Sequence, residues 1–190
     1  MPSGRTHEAI NLTFFGGLAA GYAYARSQGL AAELEQLVSP QTMATFSISY
    51  LVGTFLVTPD LDLAEQGVRA KSNWGLLGLL WIPYGAMFSH RGLSHTWLVG
   101  PMTRLIYMTM VALALSYAAS LIAPFFGYTF SVRTQLVRNG QELLIGALVG
   151  YYVSQWLHLI ADGISPDHGF KRRGFKKFGF KKTKRNFSRK

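Results

Sequence analysis

Five apolar stretches, each free of Asp, Glu, Lys and Arg, alternate along this chain with short polar segments. They run from Ala9 to Ala25, Gln36 to Pro59, Ser72 to His90, Leu105 to Val132 and Leu143 to Ala161, with lengths of 17, 24, 19, 28 and 19 residues. A helix crossing hydrocarbon needs about 20 mainly apolar residues, within a range of about 17 to 25. Four or five of the stretches therefore qualify by length, and they lack the charged face that a surface helix of a soluble protein carries. The pattern predicts an all-α fold, a polytopic membrane helical bundle. A soluble bundle of this size would have to bury nearly all of these helices. No cleavable signal peptide is expected, because the first stretch lacks a convincing small-residue cleavage site.

The third stretch decides the topology. Gly75, Gly78, Pro83 and Gly85 interrupt it, and Trp74, Trp81 and Tyr84 are residue types that favour a membrane interface. It reads as an interfacial or re-entrant helix, which leaves about four transmembrane helices. Thr6 is a candidate cap for the first, a short helical piece is expected around Leu30 to Leu37, and Pro59 closes the second span, about Thr42 to Val57. Gly17 and Gly21, like Gly146 and Gly150, stand four apart, a spacing that lets helix backbones approach closely in lipid.

Charge changes the picture only at the end of the chain. The net charge of the 190 residues is +10. Residues 171–190 hold 11 Lys and Arg and no acid, whereas residues 1–170 carry 8 basic and 9 acidic residues, a net of −1. Residues 1–169 thus form one embedded domain and residues 170–190 a basic tail. The tail has phenylalanines but too few aliphatic residues for a core, so it is expected to be disordered. There is no cysteine, which excludes disulfides and thiolate metal sites.

The candidate chemistry sits where apolar stretches begin or end. Four of the five histidines occur there: His7 before the first span, His90 and His95 in the segment HRGLSH, and His158 near the end of the last span, four residues before Asp162. Asp60 and Asp62 follow the second span. His158 and Asp162 project from one helix face one turn apart. If the third stretch does not cross, all seven groups fall on the same side of the membrane, together with Trp74, Trp81, Trp97 and Trp156. Ionisable groups at membrane depth are costly and usually functional. Four imidazoles and three carboxylates exceed the needs of one tetrahedral ion, so either two ions bind or some of the seven orient the ligating groups. The donor set suits Zn first, with Mn or Fe as alternatives. Arg5, Arg69, Lys71, Arg91 and the tail share the candidate side, against Arg26, Arg133 and Arg138 opposite. The positive-inside rule makes the site and the C-terminus cytoplasmic.

His7, PDLD at Pro59 to Asp62, HRGLSH at His90 to His95 and HLIAD at His158 to Asp162 together resemble the family of bacterial inner-membrane metal-dependent hydrolases. With the opening MPSGRTHE, the chain is more closely similar to an uncharacterised family of bacterial membrane proteins described only as metal-binding. The resemblance covers about residues 1–170. It implies a multi-helix membrane fold with His7, Asp60, Asp62, His90, His95, His158 and Asp162 as metal ligands, in a bacterial inner or internal membrane, and a distant kinship with zinc-dependent phospholipase C and P1-type nucleases. The chain departs from the hydrolase pattern after Asp162. There Asp167 and His168 are either further ligands or, as preferred, part of a turn.

A metal-dependent hydrolase acting on a phosphoester or lipid-like substrate is the leading expectation, since a bound ion lowers the pKa of water towards about 7 and two ions clamp the attacking and leaving oxygens. Arg91 and Arg104 are candidate contacts for an anionic substrate, with interfacial snorkelling the simpler explanation. Ser94 lacks the partners of a covalent nucleophile and reads as a helix cap or as a donor that orients a ligand. The alternative is a non-catalytic scaffold stapled by metal. Its tail would dock anionic lipid headgroups, an acidic protein partner or, less favoured, nucleic acid.

Overall fold

The structure is a computed structural model describing residues 3–63, 69–88, 92–129 and 140–166. His90, Arg91, Asp167, His168 and the basic tail therefore lie outside the described residues. Among the described residues the chain is all-helical, with no strand. The helices are α1 (Gly4–Ser27), α2 (Ala31–Leu37), α3 (Pro40–Phe55), α4 (Arg69–Ser72), α5 (Ile82–Met87), α6 (Val99–Ile122) and α7 (Gly140–Ala161). Short 3-10 turns occur at Pro59–Asp62, Gly75–Trp81, Leu93–His95 and Ala123–Phe126.

Local chemistry sets the ends. The cap of α1 is Ser3, not Thr6: its hydroxyl accepts from Thr6 N at 3.4 Å, so the helix begins earlier than expected and His7 lies one turn inside it. Ser39 caps α3 in the same way, with Pro40 in the first turn where a missing N–H costs nothing. At the far end of α7, Gly163 takes a left-handed conformation (φ 69°). The Ile164 N–H then donates to Leu159 O and the Gly163 N–H to Ile160 O, both at 2.9 Å. This Schellman closure fixes Asp162 at the helix end, one turn beyond His158.

Helices α3 and α7 form the tightest pair. A Cβ added at Gly146 would lie 2.6 Å from Thr42 O, and one at Gly150 only 2.2 Å from Phe46 O. The Gly146/Gly150 pair is thus used for close approach, whereas Gly17 and Gly21 have nothing within 4 Å. Across the same seam Gly53 meets Ser154. Helix α1 joins through polar contacts: Tyr50 Oη donates to Asn11 O at 2.8 Å, and Asn11 Nδ2 donates to Ser154 O at 3.3 Å.

The segment before HRGLSH leaves from and returns to one end of this bundle. At its start Arg69 Nε donates to both Glu8 oxygens, at 2.7 and 2.8 Å, and Asn73 donates to Phe55 O. At its return Ser94 donates to Asp62. Between these points Trp74, Trp81, Tyr84, Tyr107 and Phe88 form a chain of ring contacts against the first turns of α6. The buried apolar cluster, Val57, Leu61, Ala70, Trp81, Tyr84, Phe88 and Tyr151, gathers at this end.

Elsewhere the apolar side chains face outwards. Two helical segments among the described residues are long and apolar enough to cross a membrane, 99–126 and 140–161. Along the most apolar part of the first no residue is buried, and Ile106, Met110, Leu113 and Leu121 are all exposed. The other two expected spans do not meet that test. Helix α3 has 16 residues, and α1 carries Arg5, His7, Glu8, Asn11 and Arg26 along its 24.

Candidate metal centre

Five of the expected ligands meet at the capped end of the bundle. His7 comes from α1, Asp60 from the turn after α3, His95 from the turn before α6, and His158 and Asp162 from the end of α7. The stacked rings of His7 and His158 have centroids 3.8 Å apart and an interplanar angle of 12°. His7 Nε2 is 3.3 Å from Asp162 Oδ1, while His158 Nε2 is 3.6 Å from both Asp162 Oδ2 and Asp60 Oδ1. Donors bound to one tetrahedral ion by bonds of about 2.1 Å stand about 3.4 Å apart, so the spacing already suits metal.

The polarity of the cluster suits a cation as well. The Asp162 side chain is 0 % exposed, yet among the described residues neither of its oxygens accepts a hydrogen bond; His158 Nε2 and His7 Nδ1 are likewise buried without one from any described residue. A buried carboxylate without a hydrogen bond carries a large desolvation cost. Protonating both imidazoles does not relieve it, since two stacked cations at 3.8 Å would repel. A divalent ion accepted by the bare nitrogens and oxygens does. Burial by itself would raise the Asp60 carboxyl, but the nearby His158 imidazole, together with His95 and His7, holds it below its ordinary value.

Asp62 turns away from Asp60. The intervening Leu61 is fully buried, and the 3-10 turn sends the two carboxylates to different neighbours. Asp62 Oδ2 lies 3.0 Å from His95 Nδ1 and accepts from the Ser94 hydroxyl. With Nδ1 facing a carboxylate, Nε2 is the His95 nitrogen on the side away from Asp62, an arrangement common around ligating imidazoles. Asp60 and Asp62, both candidate ligands in the sequence, thus meet different neighbours, His158 and His95.

Arg104 is not exposed to a substrate. Its guanidinium is fully buried, donating from Nη1 to Ser94 O at 2.9 Å, from Nη2 to Gln155 Oε1 at 3.0 Å and from Nε to Tyr151 Oη at 3.3 Å. Gln155 Nε2 in turn donates to Gly53 O at 3.1 Å. The arginine thus ties the Ser94 turn to α7, and through Gln155 to α3. The close approach needs Gly100, where a Cβ would stand 2.2 Å from Ser94 O.

Several members of this support escaped the sequence reading. Tyr151, Ser154, Gln155, His158 and Asp162 follow helical spacing along α7, and Asn11 lies one turn after His7 on α1. A polar stripe on an otherwise apolar helix was the available signal. Lys71, buried and donating to Leu63 O, had none. Its amine is lowered by burial and pulled back up by Asp62.

Comparison with known proteins agrees with this geometry. The profile of a family described as "Uncharacterized metal-binding protein (DUF2227)" matches residues 2–172, and the chain belongs to that family. An uncharacterized protein of Aquifex aeolicus (strain VF5) is 36 % identical over 72 residues, which are 38 % of this chain and 50 % of that protein. The chain therefore spans about half the length of the curated relative it matches. No solved structure matches it significantly.

Proposed function

We propose that this member of a metal-binding family is a membrane-embedded, metal-dependent hydrolase acting on a phosphoester or lipid-like substrate at the cytoplasmic face of a bacterial inner or internal membrane. The observation that carries the metal is Asp162, a fully buried carboxylate beside two stacked imidazoles, with neither oxygen accepting a hydrogen bond from a described residue. The membrane part of the reading is supported by α6, whose apolar surface is left uncovered. We extend it to four spans, α1, α3, α6 and α7, because each begins or ends at the metal end. The stretch from Arg69 to His95 has both ends there too, as a re-entrant element requires.

The donors are imidazole nitrogens and carboxylate oxygens, a set that suits Zn, with Mn or Fe as alternatives. A divalent ion bound there supplies Lewis acidity and makes water nucleophilic near neutral pH. The protein's own part is to hold the donors and keep the centre dry on its inner side. Asp60, with 17 % of its side chain exposed against 5 % or less for His7, His95, His158 and Asp162, marks the side from which substrate approaches. Arg91, outside the described residues, is the proposed contact for an anionic group. Residues 171–190, with 11 basic residues, are proposed to rest on anionic headgroups.

The test uses protein purified into lipid nanodiscs, stripped with chelator and reloaded with Zn or Mn, against a panel of phosphoesters, amides and esters. Turnover that follows metal loading is expected. Stoichiometric metal without turnover of any substrate would reject the hydrolase and leave the metal-stapled scaffold.

A further inference from the structure

The five donors do not surround a single point. Taking one ligand atom from each residue, His7, His158 and Asp162 lie within 4.8 Å of one another, as do Asp60, His95 and Asp162. The described donors form these two triads rather than one larger set, and Asp162 is common to both. His158 Nε2 also lies 3.6 Å from Asp60 Oδ1 across the triads, but the five do not close into one set within 4.8 Å, already more than the about 4.4 Å that two bonds of about 2.2 Å span, and this points to two ions. The shared member has the chemistry of a bridge: two oxygens, both buried, neither accepting a hydrogen bond from a described residue. Backbone geometry fixes it at the junction, through the helix closure at Gly163.

We infer that the centre holds two divalent ions bridged by the Asp162 carboxylate, with His7 and His158 completing one site and Asp60 and His95 the other. Asp62 belongs to neither. It is a positioning residue that holds His95 by Nδ1, itself fixed by Ser94, whose carbonyl is held from inside the bundle by Arg104. The inference rests on the metal-binding reading above and adds the number of ions and the division of the ligands.

Chelator-stripped protein in nanodiscs is titrated with Mn²⁺ alone, and bound metal is counted by elemental analysis. Two ions per chain are expected, falling to one in His7→Ala and to one in His95→Ala. Asp62→Asn should keep two ions while the affinity of one falls by roughly 10- to 100-fold. Helical content by circular dichroism checks each variant. The unaltered protein gives an independent reading, because two Mn²⁺ ions sharing a carboxylate give an exchange-coupled electron paramagnetic resonance spectrum and an isolated ion does not. A single uncoupled ion, lost equally in His7→Ala and His95→Ala, would overturn the two-ion centre while leaving metal binding intact. Loss of an ion in Asp62→Asn would make Asp62 a ligand and refute its positioning role. Absence of any binding would instead remove the metal reading itself.

Discussion

Replacing Gly150 with alanine should injure both the fold and the metal centre, though the residue touches no ligand. The added methyl would lie 2.2 Å from Phe46 O, 2.5 Å from Ser49 Oγ and 2.9 Å from Phe46 C. Carbon contacts settle at about 3.5 Å, so α3 and α7 must part locally by roughly 1 Å. The nearest of these neighbours is backbone and cannot rotate away. Overpacking of this kind costs about 1–3 kcal/mol, and we place Gly150→Ala near the top of that range. Against it stands the gain of about 1 kcal/mol from replacing glycine inside a helix. The net destabilisation is about 2 kcal/mol.

The same displacement reaches the site, because α3 leads into the Asp60 turn and α7 carries His158, two turns beyond Gly150. Their present separation of 3.6 Å sets how closely the two triads adjoin around Asp162, and an added ångström pulls them apart. Gly21→Ala is the control, with nothing within 4 Å of its Cβ position; it should leave both properties unchanged or gain slightly in stability. The assay pairs thermal unfolding in detergent with metal titration of stripped protein. Gly150→Ala matching the unaltered protein in both measurements would refute the claim that this seam sets the spacing of the donors.

Other perturbations separate structural from chemical roles. Arg104→Met should destabilise by about 3 kcal/mol, since it leaves Ser94 O and Gln155 Oε1 buried without their charged donor. Arg69→Ala removes a partly exposed pair with Glu8 and should leave stability nearly unchanged and bound metal unaltered, read by unfolding and elemental analysis. In metal-free protein the Asp60 carboxyl lies below its ordinary value of 3.8, so its stabilising contribution is complete above that value and lost as pH falls through the depressed one. The stability difference between unaltered protein and Asp60→Asn should therefore be flat from about pH 7 to about pH 5, begin to fall near pH 4 and vanish only below the depressed value. Truncation after Gly169 should weaken binding to vesicles containing phosphatidylserine while leaving binding to neutral vesicles and bound metal unchanged; equal binding to both vesicles would remove the lipid role of the tail.

Much of the site was legible in the sequence because its residue types are improbable where they stand. His7, His158 and Asp162 interrupt or flank apolar runs, and no apolar core needs them. The meeting of the segments that flank the third stretch was legible for a related reason: both carry ionisable groups, and the fold places Asp62 and His95 3.0 Å apart. What the sequence hid was direction. Asp60 and Asp62 look equivalent in PDLD, and only the 3-10 turn, pinned by buried Leu61, assigns one to His158 and the other to His95. Arg104 misled for the opposite reason. A charge near a helix end suggests an interface, but the partners that hold it inside come from residues 47 and 51 positions later in the chain, together with the Ser94 carbonyl. Likewise both glycine pairs satisfy one spacing rule, and only packing shows that Gly146 and Gly150 serve it.

The most direct test of the metal centre is elemental analysis of protein purified without chelator, alongside Asp162→Ala prepared identically. The unaltered protein should carry divalent metal in stoichiometric amount, up to two ions per chain, and Asp162→Ala should lose it while keeping its helical content. Unaltered protein that holds no metal and takes up none from added Zn²⁺ or Mn²⁺ would contradict the central claim.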